Sequence, residues 1–272
     1  MNEVDIRIYS ETLELVADAA GSAIRPYFRA ITNIDIKNDK TPVTAADKAA
    51  ELAIREILAD RHPDHGQIGE EFGTDRDSSE YVWVIDPIDG TSAFISGQPT
   101  FCTLIGLTWR GQPILGLIDQ PIIGERWVGV TSKALVSADP GEEAYVSSMF
   151  NGKPIHTRSV TALAKATLYA TSPDMFVGID QEVFGRLSRD VSLCRYGLDG
   201  YAYGLLALGC IDLVAEASLE IHDYCALVPI IEGAGGVATD WRGEPLSLQS
   251  DGHVLASGSQ DLHRLALKTL GA

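Results

Sequence analysis

The run Tyr81-Val82-Trp83-Val84-Ile85 passes directly into Asp86-Pro87-Ile88-Asp89-Gly90-Thr91, and no other stretch restricts the fold of this chain as much. Five apolar residues in a row read as a buried strand. The strand ends in two carboxylates three positions apart, then a glycine and a hydroxyl residue where a helix can begin. Hard anionic oxygens and free backbone N–H groups therefore meet at one point, which suits a divalent cation and a phosphate together. The same residues also read as a turn, because Asp-Gly is a common hairpin dipeptide and Pro87 presets the first corner.

The 38 acidic residues outnumber the 21 Lys and Arg, for a formal net charge of −17. Such a surplus repels nucleic-acid phosphates and anionic lipid, so neither a nucleic acid nor a membrane is an expected partner. A chain this acidic can handle anionic substrates only where bound cations reverse the local sign. At 272 residues, 45% of them hydrophobic, it can fill the core of one large domain or two small ones. Met1-Asn2-Glu3-Val4-Asp5 has no basic or apolar leader character, and no later apolar run has the length of a membrane span, so a cytoplasmic protein is expected. Cys102, Cys194, Cys210 and Cys225 form no Cys-x-x-Cys pair. Buried free thiols are expected, not zinc or disulfides.

Helical spacing of Leu13, Val16, Ala17, Ala20, Ile24, Tyr27 and Phe28 predicts an opening helix over 9–29, with Ser10 as N-cap. Thr44-x-x-Asp47 has capping-box spacing and begins a second helix to about Asp60, with Ala46, Ala49, Ala50, Ala53 and Ile57 inward. Lys37 to Pro42 reads as a loop. Alternation over 101–109 and 114–119 around a turn at 110–113 predicts an antiparallel pair, joined by a strand at 125–130. The second half alternates strands (167–170, 193–196, 211–215) with helices (181–188, 201–208), which argues for a more parallel sheet under helical cover. The expected organisation is a single 1–272 domain of two packed halves, about 1–145 and 146–272, with the weakest joint around Ser137 to Glu143.

Further acids stand at chain breaks. Gly69-Glu70-Glu71 falls at the end of a short strand or a loop mouth. Asp47 reads equally as a helix-start acid, and Asp223 as an N-cap. Each is explicable singly; together they stay ionised only around cations. Gly233-Ala234-Gly235-Gly236-Val237-Ala238 fits a relaxed dinucleotide pattern, but it follows a helical stretch, so helix termination explains it better. No Gly-x-x-x-x-Gly-Lys-[Ser/Thr] occurs, and the two-residue gap between Asp86 and Asp89 disfavours a covalent aspartyl intermediate.

Trp83 to Phe94, Gly69-Glu70-Glu71, Thr41 to Asp47 and the Asp223 to Gly236 segment together resemble the inositol monophosphatase superfamily, in the right order over nearly the whole chain. The resemblance implies an α/β, layered αβαβα sandwich and a magnesium-dependent phosphomonoesterase with two or three Mg2+ ions. It implies that Glu70, Asp86 and the Ile88 carbonyl hold one ion, and Asp86, Asp89 and Asp223 a second. Asp47 and Thr91 match the pair that orients and deprotonates the attacking water, and the Gly90 and Thr91 amides the phosphate contacts. No histidine need act: His62, His65, His156 and His253 are expected at the surface and His222 in a structural role. A homodimer is also implied. A scaffold of this family that binds phosphates or partner proteins without turnover is the reading from another class; the intact water-activating pair argues against it.

Three segments, 94–101, 196–203 and 226–236, look closer to the histidinol-phosphatase branch than to the inositol branch, and Asp240-Trp241 shares that look. Histidinol phosphate carries an ammonium and an imidazole, whereas inositol is a neutral polyol, so acids near the leaving group favour the former. Asp199, Glu216 and Glu220 are such acids. Glu216 discriminates poorly, because inositol enzymes place a sugar-contacting Glu at the same spacing before the metal-binding Asp. Asp199 reads equally as an N-cap for the helix after it. Ser92-Ala93 and His222 depart from the inositol enzymes, which bears on the wall around the substrate, where Ser92 would lie. Without a Lys/Arg cluster for a second phosphate, bisphosphate substrates rank lower. The expected substrate is a small phosphorylated metabolite, histidinol phosphate first and inositol 1-phosphate second.

Overall fold

The computed structural model describes residues 3–30, 35–36, 42–43, 45–131 and 147–271. Thr44, Lys37 to Thr41 and the Ser137 to Glu143 joint lie outside the described residues, as do Met1 and Asn2 of the chain start.

The opening helix, α1, spans Glu3–Ile24. Ser10 is therefore internal to it and not its N-cap, because Ile6 extends the buried stripe formed by Leu13, Val16, Ala17, Ala20 and Ile24. It stops short of Arg29 because Pro26 disfavours a helical conformation in the residue before it. A short pair, β1 (Asp35–Ile36) and β2 (Pro42–Val43), leads to α2 (Ala45–Arg61). The buried face of α2 is rotated by about one residue from the alanine stripe: Ala46, Asp47, Ala50, Glu51, Ile54 and Leu58 point inward. Two acids thus lie on the face that periodicity assigns to apolar side chains.

Next come β3 (Gly66–Gly69), β4 (Gly73–Asp75), β5 (Tyr81–Asp89), the short α3 (Thr91–Ile95), β6 (Cys102–Trp109), β7 (Gln112–Gln120), β8 (Glu125–Val130), β9 (Ser147–Phe150) and β10 (Lys153–Ile155). They form an eight-stranded sheet of order β10-β9-β8-β7-β6-β5-β3-β4, antiparallel except where β3 runs parallel to β5. The second half supplies β11 (Thr167–Ala170), α4 (Ile179–Asp190), β12 (Leu193–Tyr196), α5 (Tyr201–Ala207), β13 (Leu213–Glu216), α6 (Ile221–Tyr224), α7 (Leu227–Gly233), β14 (Val237–Thr239), β15 (Val254–Ser257) and α8 (Gln260–Leu270). Its sheet has the order β12-β11-β13-β15-β14. The strands read from sequence, β11 to β13, are parallel as expected; β15 and β14 add an antiparallel edge.

Layering follows from which face each helix buries. One apolar cluster joins α1 and α2 to β5, β6 and β7. A second joins α5, α6 and α7 to both sheets, and a third joins α4 and α8 to the far face of the second sheet. The sequence of layers is αβαβα.

A file of small residues sets the depth of the middle layer. Gly106 pairs with Gly116, Gly116 with Gly129, and Gly129 with Ser148, so four adjacent strands present almost no side chain along one line. The 226–233 backbone lies in that furrow: a Cβ at Gly116 would overlap the Ala226 carbonyl, and one at Gly129 would overlap Ile230. Ser148 Oγ donates to the Ile230 carbonyl at 2.7 Å. Glycine is required here because the two backbones approach more closely than any side chain permits. Among the cysteines, Cys102 and Cys225 are buried thiols as expected, whereas Cys194 is half-buried and Cys210 exposed; none is paired. Cys210 lies in the turn after α5, outside the sheet cores.

Two of the expected surface histidines are packed instead. His62 is 8% exposed, its Nε2 2.9 Å from Thr12 Oγ1, and it stacks on His65 with ring centroids 4.8 Å apart. Trp83 Nε1 donates to His65 Nδ1 at 3.1 Å, so that nitrogen carries no proton. Apolar and aromatic neighbours supply the burial that a short His-x-x-His spacing does not reveal. His253 bridges Asp180 and Asp251, while His156 is exposed as expected. Burial pushes His65 and His263 down to about 4.

Two outcomes follow for stability. Gly116→Val should lower the urea unfolding free energy by about 3 kcal/mol, since a well-packed backbone contact cannot open without strain. For the histidines, the unfolded chain binds protons below about 6.5 while the folded state does not until about 4, so stability is full above pH 6.5 and falls as the pH drops toward 4. Urea melts at pH 7 and pH 5 should show this loss, and His263→Gln should show a smaller one.

Candidate active site

A break in register turns the β5 acids into a site. On β5 the step from Asp86 to Asp89 is three residues, while on β6 their partners Leu104 and Cys102 are two apart. In a regular strand, positions i and i+3 face opposite sides of the sheet; one extra residue restores the parity and brings both carboxylates to one face. Side-chain and backbone bonds hold the bulge open. Ile88 N–H donates to Asp86 Oδ1 at 3.1 Å, and Thr103 Oγ1 donates to the Pro87 carbonyl at 2.8 Å. Gly90 then turns the chain with φ of 82° into α3, a left-handed conformation that a side chain disfavours. Thr91 Oγ1 donates back to the Ile88 carbonyl at 3.2 Å. Ser92 is exposed on the first turn of α3.

The remaining acids arrive from three other elements. Parallel pairing of Gly69 with Ile85 sets Glu70 beside Asp86, and Glu70 N–H donates to the Ile85 carbonyl at 3.2 Å. Asp47, in the first turn of α2, is 1% exposed, and its charge acts on Asp86. Asp223 is not an N-cap. Glu220 caps α6, and Asp223, three residues on, accepts from the Glu220 N–H at 2.7 Å in a capping box. Glu220 is thereby committed to the helix end. The furrow that seats 226–233 fixes where α6 ends and so where Asp223 points.

Asp199 is not an N-cap either: α5 is capped by Gly200 without a side-chain bond. Gly197, Leu198 and Asp199 carry positive φ values of 91°, 88° and 47° in succession, which for Leu198 is a strained conformation of the kind found at functional sites. This turn lays the Asp199 carboxylate over Gly90, where a Cβ would come within 2.8 Å of Asp199 Oδ2. Gly200 N–H donates to Asp89 Oδ2 at 2.5 Å, tying the two segments together. Glu216, at the end of β13, is 3% exposed. It accepts from Thr171 N–H at 2.7 Å and from Tyr203 Oη at 2.9 Å.

These acids raise one another's proton affinity. Burial, then Asp89, Glu70, Asp223 and Asp47, pushes Asp86 well up; burial, then Asp199 and Asp223, does the same to Asp89. Burial and Asp223 push Asp199 up to about 6, and burial pushes Glu216 up to about 7 against its two hydrogen bonds. Among the described residues, Asp86, Asp89 and Asp223 offer ligand atoms within 4.8 Å of one another, as do Glu70, Asp86 and His222. An all-but-one oxygen donor set, half-buried around the buried Asp86 and self-repelling, fits hard divalent cations. Asp86 is common to both groups. His222 Nε2, 3.5 Å from Asp223 Oδ1, therefore reaches the edge of the cluster and is not only a structural neighbour. The departure at His222 noted in the sequence is the signal for it.

Comparison with known proteins places the chain in a family. The model of the inositol monophosphatase family matches residues 7–271. The chain belongs to that family. It is 42% identical over 279 residues to a bifunctional phosphatase, IMPL2, chloroplastic, of Arabidopsis thaliana, covering 99% of this chain and 77% of that protein. It is 32% identical to a histidinol-phosphatase of Chlorobaculum parvum, covering 93% of each. The solved structure of an inositol monophosphatase from Zymomonas mobilis superposes with a TM-score of 0.87 at 42% identity over 100% of both chains. This member of the inositol monophosphatase family is thus a metal-dependent phosphomonoesterase. No helix among its described residues is long and apolar enough to cross a membrane.

Because Asp86 is repelled from four sides, Asp86→Asn should melt at a higher temperature than the wild type in EDTA while gaining far less from added divalent cation. Thermal melts with and without metal check both signs.

Proposed function

We propose that the protein hydrolyses histidinol phosphate to histidinol and phosphate, with Mg2+ as its ion. The reading is carried by Asp199, a half-buried acid that lies over Gly90 and is not used as a helix cap. The likeness to histidinol-phosphatases at 31–34% identity supports it.

In this reading the Gly90 and Thr91 amides, which the first turn of a helix leaves unpaired, take phosphate oxygens. Asp47 and Thr91 orient the attacking water and accept its proton. Asp199 meets the ammonium group of the leaving alcohol. Ser92 lines the wall. Glu216, with both oxygens engaged by Thr171 and Tyr203, backs the pocket wall. Glu70, Asp86, the Ile88 carbonyl, Asp89 and Asp223 would hold magnesium, which when bound supplies charge neutralisation and Lewis acidity. A homodimer belongs to the same proposal, carried over from the family resemblance.

Inositol 1-phosphate is the second reading, favoured by the likeness to the Zymomonas mobilis inositol monophosphatase over the whole chain. A panel of histidinol phosphate, inositol 1-phosphate, glycerol 2-phosphate and a bisphosphate separates the two. Histidinol phosphate should give the highest kcat/KM; a preference for the polyol ester would reject the proposal. Asp199→Asn should raise KM for histidinol phosphate by about tenfold, the loss of one charge-assisted contact, with little change for inositol 1-phosphate. Equal losses on both esters would remove Asp199 from substrate choice, and Asp89→Asn should nearly abolish turnover of every ester.

A further inference from the structure

Glu51 is a fully buried carboxylate one helical turn after Asp47, on the same inward face of α2. A buried acid of this kind needs several donors to be tolerated, and each of its donors belongs to one small region. Glu71 N–H donates to its Oε2 at 2.7 Å and Phe72 N–H to its Oε1 at 3.2 Å. Arg55, a further turn along α2, donates to Oε1 at 2.7 Å and also to the Gly73 carbonyl. All of the backbone partners lie in the turn between β3 and β4, the turn that begins with Glu70. The fit is tight on the other side as well: a Cβ at Gly69 would overlap Glu51 Oε1, so only glycine can stand where β3 runs into the turn.

We propose that Glu51 is a positioning residue for the metal centre, a clamp that holds the 70–72 turn on α2 so that Glu70 faces Asp86. The inference rests on the metal-dependent reading of the site. Its physical basis is that Glu70 has to be kept against the repulsion of Asp86. The β3–β4 ladder closes the turn at Gly69 and Gly73 and the Glu70 N–H bonds Ile85; two further amides bound to a buried carboxylate on a rigid helix fix its tip against α2. The same helix carries Asp47, so the clamp also sets the spacing between that acid and Glu70. Arg55 is 16% exposed at its side chain and neutralises the clamp, which leaves Glu51 free of net repulsion toward the cluster.

The test is the affinity of substrate-free protein for Mn2+, measured by titration calorimetry on the wild type and Glu51→Gln. Glutamine keeps the volume but turns an NH2 group toward one of the amides. We expect Glu51→Gln to bind Mn2+ at least about tenfold more weakly, the usual cost of losing a group that orients a metal ligand. The metal concentration for half-maximal turnover should rise in step, while KM for the ester at saturating metal stays within about twofold of wild type. A purely structural role would lower the melting temperature in EDTA and leave Mn2+ affinity unchanged, and that outcome overturns the proposal. Should Glu51→Gln not fold, Arg55→Met reads the same quantity: weaker Mn2+ binding supports the clamp and wild-type affinity overturns it. Failure of the wild type itself to bind Mn2+ would overturn the metal reading together with the clamp, whereas wild-type binding with an unaffected variant overturns the clamp alone.

Discussion

The repulsion among the carboxylates around Asp86 is the constraint to which the rest of the structure answers. Asp86 is 2% exposed and feels Asp89, Glu70, Asp223 and Asp47 together. Left to themselves, such groups would separate or take up protons. They stay together because each is mounted on an element whose own packing is satisfied elsewhere: a central strand, a strand-to-strand turn, a helix start and a capped helix end. Cation binding then recovers what the arrangement costs, which is why a chain of charge −17 can act on phosphate esters.

The scaffold achieves this with few special residues. The bulge in β5 changes which side Asp89 faces; the glycine file across β6, β7 and β8 admits the 226–233 backbone and thereby aims Asp223; the Gly197-Leu198-Asp199 turn accepts backbone strain to bring a fifth element over Gly90. Each device acts on orientation. Each is placed where a sheet or a helix would otherwise direct the acid away from its neighbours.

Much of this was legible early. Strands 125–130, 167–170 and 193–196 fall where alternation places them, because strands bounded by turn residues carry a clear local period. The acids of the site were legible through the family pattern they form, not through spacing. What periodicity misassigned has a common cause: the rotated face of α2 and the packed His62 and His65 depend on partners distant in the chain. Glu51 was passed over for that reason. A glutamate on a helix reads as solvated until the turn whose amides it binds is seen against it.

By itself the amino-acid sequence determined the family and the phosphomonoester chemistry, since a strand ending in Asp-Pro-Ile-Asp-Gly-Thr carries two of the donors within six consecutive residues and the family pattern points to the rest. Only the tertiary structure decided which way those donors face and what holds them there. Orientation depends on a register break counted against a neighbouring strand, on a furrow shared by four strands and on hydrogen bonds between residues as far apart as Asp89 and Gly200. Such relations exist only between segments, and no local window of residues contains them.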